Sequence, residues 1–415
     1  MAQAVITEKE EPDELVTLVE QHVIKASDPR FAQIDAAAFA AKNLYNLGNY
    51  TIRQSWLSGD GYIPYTRLDR LLQAHEAYRA LPSKVSQLVL KQLDHNWQSF
   101  FAALRAWREH PDRFLGRPRP PGYKPKQTGR FLLTYNNQAF SKRWLRKGFV
   151  KPSQLDVFIR TQQTDVKQVR IVPRRDHYVV EIVYQRAPEQ HNLDRHLIAG
   201  IDLGTDNLIT LTSNQPGFPP VVVNGRGLKS NNQYYNKERA AGQAEVGTQS
   251  TRRQRRLTEK RNRRIKHLMH IASRMVIDHL VMRGIGTLVI GYNPKWKQRV
   301  RLGRVNNQKF VSIPHAMLVE MLTYKAELAG IQVVLQEESY TSKCSFLDGE
   351  FPEKREQYAG KRIKRGLFQA ADGRLINADV NAAYNIIIKA FPKAIEGIEG
   401  VLVVHPVRVM LSQTE

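Results

Sequence analysis

The feature that most constrains this chain is an apolar stretch with one acid inside it, Leu197-Ile-Ala-Gly-Ile-Asp-Leu203. Such a run reads as a buried strand, Gly204-Thr-Asp-Asn207 as a turn, and residues 208–212 as its hairpin partner. A carboxylate in a buried strand is expensive unless it is paired or bound to a cation. The residues alone leave two readings of Asp202. It is a ligand for a divalent cation facing a phosphodiester, with Gly200 and Gly204 leaving room for a bulky anion near the backbone. Otherwise it is an acid at a strand end that caps the turn, as Asp206 is expected to do.

Downstream, strands alternate with helices. Residues 287–290 and 331–336 read as further buried strands, and residues 235–285, 316–328 and 378–390 as helical, which together give an α/β core. Upstream, residues 14–110 read as helical. Leu15, Leu18, Val19 and Val23 recur at helical spacing, and Ala37, Phe39, Leu44, Tyr45 and Leu47 suggest a second helix. A third starts after Leu81-Pro82-Ser83 and carries Val85, Leu88, Val89, Leu93, Trp97, Phe100, Phe101 and Leu104. Residues 116–126 are a basic, proline-rich connector that cannot be helix interior. Residues 128–187 then alternate like strands. The expectation is a helical lobe beside a small β-domain, without internal repeats.

Charge narrows the partner. Lys and Arg number 63 against 39 Asp and Glu, a net charge of +24. That surplus points to a polyanion, with nucleic acid favoured over an acidic membrane or protein surface. At 415 residues and 42% hydrophobic content, two or three folded domains are expected. No run of about 18 apolar residues is present, so no membrane span is expected. The acidic start MAQAVITEKEEPDE lacks an apolar core for secretion. Cys344 is the single cysteine, which excludes an internal disulfide framework and any zinc site built from several cysteines. A cytoplasmic protein, nucleoid-associated when on DNA, fits these features.

Three more segments carry chemistry. In Asn377-Ala-Asp-Val-Asn-Ala-Ala-Tyr-Asn-Ile386, Asp379 stands at a helix start, where capping alone would favour an acid. Yet it shares a face with Ala382, Ala383 and Ile386, the inward stripe. In Glu337-Glu-Ser-Tyr-Thr-Ser-Lys-Cys344, alternation groups Glu337 with Val333 and Leu335, and Glu338 with Val334 and Gln336, so parity leaves both acids open. The basic segment contains Arg252, Arg253, Arg255, Arg256, Lys260, Arg261, Arg263 and Arg264. Like charges this dense repel along a helix, and a phosphate backbone relieves the repulsion while releasing counterions.

Together these segments resemble the TnpB family of transposon-encoded RNA-guided nucleases, ancestral to compact type V CRISPR effectors. The resemblance also takes in Lys42-Asn-Leu-Tyr-Asn46, residues 116–126, Gly286-Thr-Leu-Val-Ile-Gly-Tyr-Asn293 and Lys295-Trp-Lys-Gln298. It implies an α/β fold with added α and β lobes: an RNase H-like (RuvC) core, a helical recognition lobe and a small β-barrel wedge domain. The implied boundaries are 1–30 and 115–195 for the wedge and 31–114 for the recognition lobe. The nuclease domain takes 196–415, with a basic bridging helix at 235–285 and a degenerate zinc-ribbon-like insert at 341–377.

In that family three acids hold two Mg²⁺ ions. Asp202 matches the first and Asp379 the third, but Gly291 stands where the middle acid is usual. Rearranged members carry the glutamate before the TSK segment, which Glu338 matches, with Glu337 in reserve. The ribbon's cysteines are missing apart from Cys344, so no zinc is expected. The implied function is RNA-guided, Mg²⁺-dependent cleavage of target double-stranded DNA beside a short target-adjacent motif, guided by an RNA from the transposon end. Candidate nucleic-acid contacts are the basic segment, Lys42, Tyr45, Asn46, Arg53, Lys295 and Lys297. The rival readings are a nuclease-dead RNA-guided repressor and an RNA-independent recombinase or nuclease of the same fold.

Overall fold

The structure is a computed structural model and describes residues 15–247, 251–293, 313–395 and 406–411. Two compact units account for them, residues 15–186 and those from 187 onward.

The first unit opens with strand β1 (Val16–Lys25), where helical spacing predicted a helix. β1 pairs antiparallel along its whole length with a later strand, from Val16 opposite Arg186 to Lys25 opposite His177. Val19 and Val23, four apart, share a face in a strand as they do on a helix, and here that face is the exposed one. Pairing partners far along the chain decided between the two periods. Helices α1 (Phe31–Leu57), α2 (Tyr65–Leu72), α3 (Glu76–Arg79) and α4 (Ser83–Glu109) follow. α4 begins at Ser83, inside the expected start signal. Next come β2 (Leu133–Asn136), α5 (Lys142–Leu145), β3 (Phe149–Val150), β4 (Ile159–Arg160), β5 (Val166–Pro173) and β6 (His177–Arg186). One sheet runs β1-β6-β5-β2, and β3 pairs with β4. Helices and sheet share a single core that includes Ile34, Leu44, Leu93, Trp97, Val169 and Val180.

Residues 116–126 form no regular element, and α1 supplies the partners their backbone lacks. Lys42 Nζ donates to the Lys126 carbonyl at 2.7 Å. Asn46 donates to the Lys124 carbonyl and accepts from its N–H, both at 2.9 Å. Tyr45 Oη donates to the Gly122 carbonyl at 3.4 Å, and Asn49 Nδ2 and Arg53 Nη2 donate to the Pro121 carbonyl at 2.9 and 2.6 Å. The helical repeat lines these side chains along one edge of α1.

The second unit holds β7 (Asp194–Asp202), β8 (Asn207–Ser213), β9 (Val221–Asn224), α6 (Arg226–Val246), α7 (Arg252–Met282), β10 (Ile285–Gly291), α8 (His315–Leu328) and β11 (Gln332–Gln336). A small sheet of β12 (Lys361–Lys364), β13 (Leu367–Gln369) and β14 (Leu375–Asn377) precedes α9 (Ala378–Ala390) and β15 (Val407–Val409). The hairpin expected after residue 203 is β7–β8, in which Asp202 faces Thr210. The helical stretch expected over 235–285 is two helices, α6 and α7. α7 starts afresh with a capping box between Thr251 and Gln254.

The main sheet has the order β11-β10-β7-β8-β9-β15, with β7, β10 and β11 parallel and β8 antiparallel to both β7 and β9. A hairpin meander joined to parallel strands through helical crossovers is the RNase H-like arrangement. One face carries α7 and α8 on Ala199, Ile201, Leu288 and Ile290. The other carries α9 on Ile198 and Val289 through Ile386 and Ile387.

Asn49 tests the connector contacts. It is fully buried, and besides Pro121 it accepts from Trp97 Nε1 at 3.0 Å. Asn49→Ala strands the indole N–H and removes one of the two donors to the Pro121 carbonyl, which Arg53 still serves, so a loss of about 1–3 kcal/mol is expected in denaturant unfolding. A change below about 0.5 kcal/mol would show that these bonds do not hold the connector.

Candidate active site

Alternation along three neighbouring strands decides which side chains meet. On β7, Ile198 and Gly200 face α9, so Asp202 does too. On β10, Val289 faces α9, and so does Gly291. On β11, Val333 packs on the α7–α8 face and Val334 on the α9 face, which sends Glu338 toward α9. Glu337 is exposed and is tied instead to Lys389 Nζ in the last turn of α9 at 2.6 Å and to Ser339. The ambiguity is resolved by burial and by Gly291: Glu338, not the exposed Glu337, lies beside it.

The absence of a side chain at Gly291 has a direct geometric use. A Cβ there would collide with Glu338 Oε1, lie 2.6 Å from Ile386 Cδ1 and lie 2.9 Å from Glu338 Cγ. Glu338 thus fills the volume beside position 291. The glycines flanking Asp202 serve differently from the expectation. A Cβ at Gly200 would lie 2.5 Å from Ile387 Cγ1 and 2.6 Å from the Ala383 carbonyl, so Gly200 lets α9 approach the strand. A Cβ at Gly204 would strike the Asn207 carbonyl across the turn. Both positions are filled by protein, which corrects the reading that they leave room for an anion.

Asp379 sits in the first turn of α9, but the helix is capped by Asn377, whose Oδ1 accepts from the N–H groups of Asp379 and Val380 at 3.0 and 3.2 Å. The Asp379 carboxylate is left for other partners. Asn207 Nδ2 donates to Oδ2 at 2.7 Å, and Arg362 Nη2 lies 3.5 Å from Oδ1. Asp206 does not act as a lone turn cap: it is ion-paired with Lys229 at 2.7 Å and with Arg365.

Burial, then the charges of Glu338 and Asp379, push Asp202 well above the usual carboxylate range, with Arg362 opposing. Burial, then Glu337, pushes Glu338 up to about 7. Glu337 is held low by Lys389 and Ser339 against its own burial. Glu338 Oε1 is buried without a hydrogen-bond partner. A buried acid raised by its burial and by two neighbouring carboxylates, beside a buried carboxylate oxygen without a partner, fits a divalent cation. Among the described residues, no group of three or more His, Cys, Asp or Glu side chains is set close enough to hold one metal ion. Asp202 lies within electrostatic reach of both Glu338 and Asp379, and carboxylate oxygens are the ligand type that hard divalent ions take together with water and phosphate.

The expected nucleic-acid residues divide. Arg252, Arg253, Arg256, Lys260, Arg263 and Arg264 lie at least partly exposed on α7, and Arg255 is partly buried there. Arg261 is turned inward: Nε donates to Asn232 at 2.8 Å and the guanidinium lies 5.4 Å from the Tyr235 ring, which fastens α7 to α6. Lys42, Tyr45, Asn46 and Arg53 spend their polar atoms on residues 121–126, and Lys42 is 2% exposed. That geometry makes them scaffold residues rather than free contacts. Lys295 and Lys297 lie outside the described residues.

Sequence reasoning missed the amides. Asn207 and Asn377 belong to the same motifs as the acids, and their chemistry shows only once the fold sets them beside Asp379. The insert at 341–377 also depends on amides. Asn381 and Asn385 each donate to the Cys344 carbonyl at 2.8 Å, Asn385 also donates to the Thr341 carbonyl, and Phe346 stacks on Tyr384 at 4.3 Å.

Two family profiles match. Residues 177–297 match OrfB_IS605, described as a probable transposase, and residues 315–386 match the Cas12f1-like TNB domain. The chain is 23% identical to the TnpB-like protein ORF457 of Acidianus two-tailed virus over 84% of this chain and 81% of that one. It is 24% identical to the CRISPR-associated endodeoxyribonuclease Cas12f1 of Sulfoacidibacillus thermotolerans, over 56% of this chain and about half (55%) of that relative. Among solved structures, the Cas12f1 chain of a Cas12f1–sgRNA–target DNA complex superposes with a TM-score of 0.52 at 14% identity, covering 85% of this chain and 82% of that one. That likeness supports the RuvC-like nuclease fold already visible in the strand order.

Glu338 makes a pH prediction for metal-free protein in chelator. Its folded pKa of about 7 lies above the ordinary 4.5, so its favourable contribution is present below pH 4.5 and is lost as pH rises through 7. Glu338→Gln is therefore expected to be more stable than the parent at pH 8, by on the order of 2 kcal/mol, with the difference vanishing near pH 4. Equal stability at both pH values would mean the carboxylate is not desolvated.

Proposed function

Because the chain belongs to the TnpB family, we propose that it is an RNA-guided DNA endonuclease whose acidic centre is Asp202, Glu338 and Asp379. The observation that carries this is the placement of Glu338 in the volume beside Gly291, on the same face as Asp202 and Asp379. Mg²⁺, two ions by the family's pattern, would supply a polarised water and charge neutralisation at the leaving 3′ oxygen.

The protein's own residues do the rest. Asp202, on the central strand, lies in the fields of both other acids and would help hold the ions. Glu338 and Asp379 flank it, with Asn207 fixing the Asp379 carboxylate. The exposed arginines and lysines of α7 would neutralise phosphates of a guide RNA or guide–target duplex, while base pairing supplies sequence. Guide RNA from the transposon end and double-stranded target DNA next to a short motif are the proposed partners. The β-rich part of residues 15–186 would serve as the wedge, and α1–α4 as the recognition lobe. Among the described residues no helix is long and apolar enough to cross a membrane.

Asp202→Ala and Asp379→Ala are each expected to abolish Mg²⁺-dependent cleavage of a matched target while leaving RNA binding nearly intact. Near-parental cutting by either would remove the centre from these residues. Full RNA-guided binding with no cleavage by the parent chain would favour the repressor reading, which the glycine at 291 invites.

Replacing Arg252, Arg253, Arg255 and Arg256 with Ala is expected to weaken RNA binding and flatten its salt dependence by up to about 3.6 units of log–log slope, roughly 0.7–0.9 for each phosphate that is no longer neutralised. An unchanged slope would show that the basic face touches no phosphates.

A further inference from the structure

The parallel ladder between β10 and β11 pairs Gly291 with Gln336, and the Tyr292 N–H extends it by donating to the Gln336 carbonyl at 2.8 Å. Two residues past the Gly291–Gln336 pair, Asn293 stands opposite Glu338. Its side chain makes two bonds to that one residue. Nδ2 donates to Glu338 Oε2 at 3.3 Å, and Oδ1 accepts from the Glu338 N–H at 3.1 Å.

We propose that Asn293 is the positioning residue for the displaced glutamate, holding its backbone and one carboxylate oxygen so that the other oxygen is presented to the metal centre. This rests on the reading of Asp202, Glu338 and Asp379 as that centre.

The physical argument has three parts. Glu338 lies two residues beyond the end of β11, where no ladder bond fixes it, and a glutamate has three side-chain torsions to restrain. The adjacent Glu337 is exposed and tied to Lys389 in the last turn of α9, so the local chain must be locked for Glu338 to stay beside Gly291. Only a side chain with both a donor and an acceptor at this reach can hold a carboxylate and an N–H together, which an amide does and a carboxylate does not. With Oε2 engaged by Asn293, Oε1 is the oxygen left buried and unpartnered beside Gly291. Partners that orient a metal ligand in this way typically affect metal affinity or activity by about 10–100-fold.

The test uses the full chain with two variants, Asn293→Ala and the near-isosteric Asn293→Leu, so that a folding failure of one does not end the experiment. Mn²⁺ binding to the metal-free protein is measured by electron paramagnetic resonance titration, with Asp202→Ala as reference and RNA binding as the check on folding. Both Asn293 variants are expected to bind Mn²⁺ about 10-fold or more weaker while binding RNA normally. Their cleavage is expected to recover as Mg²⁺ is raised, whereas Glu338→Gln stays inactive. Parental Mn²⁺ affinity in both variants, with Asp202→Ala impaired, overturns the positioning role and leaves the metal centre standing. Parental affinity in Asp202→Ala as well overturns the metal centre itself. Weakened binding that excess metal does not rescue also overturns the proposal, because a misplaced but intact Glu338 must respond to mass action.

Discussion

The burial of Asp202 in the field of Glu338 and Asp379 is the constraint around which the second unit is arranged. Asp202 is raised by its burial and by both other acids, and Glu338 by its own burial. Such a centre destabilises the fold when empty, and the surrounding structure must hold it open without neutralising it. The central sheet does this by alternation: apolar residues of β7 and β10 fill both faces, while the acids emerge at or just past the strand ends. α9 closes the arrangement because Gly200 lets its backbone come close and Asn377 takes over the capping that Asp379 would otherwise perform.

The same economy of polar partners recurs where regular structure stops. The proline-rich connector cannot satisfy its own carbonyls, so one edge of α1 reads them through Lys42, Tyr45, Asn46, Asn49 and Arg53. The insert between β11 and α9 is tied down through main-chain carbonyls held by Asn381 and Asn385. In both places amides do work that repetitive hydrogen bonding does elsewhere.

How much of this is legible in the sequence depends on the range of the deciding interaction. The β7–β8 hairpin, the start of α4 and the limits of α9 follow from local pattern and turn chemistry, and they stand where expected. β1 defeats local pattern because Leu15, Leu18, Val19 and Val23 fit a helix, whereas its partner β6 lies more than 150 residues away. Glu337 and Glu338 are indistinguishable by parity until the fold sets Glu338 beside Gly291. The role of Gly291 is visible in sequence only as a missing acid, and the structure adds that Glu338 occupies the adjoining space. Lys42, Tyr45, Asn46 and Arg53 look like a recognition cluster because a basic, polar helix edge has the same composition whether it meets a phosphate or a carbonyl.

The central claim is that a glutamate from the neighbouring strand completes the acidic centre. Anomalous diffraction from crystals of the intact chain soaked in Mn²⁺ measures this most directly, since it locates the metal independently of the protein's phases. The account predicts Mn²⁺ density in contact with Asp202, with carboxylate oxygens of both Glu338 and Asp379 at about 2.0–2.3 Å from manganese. Density at Asp202 and Asp379 with Glu338 turned away, or no density at these acids in saturating Mn²⁺, would contradict it.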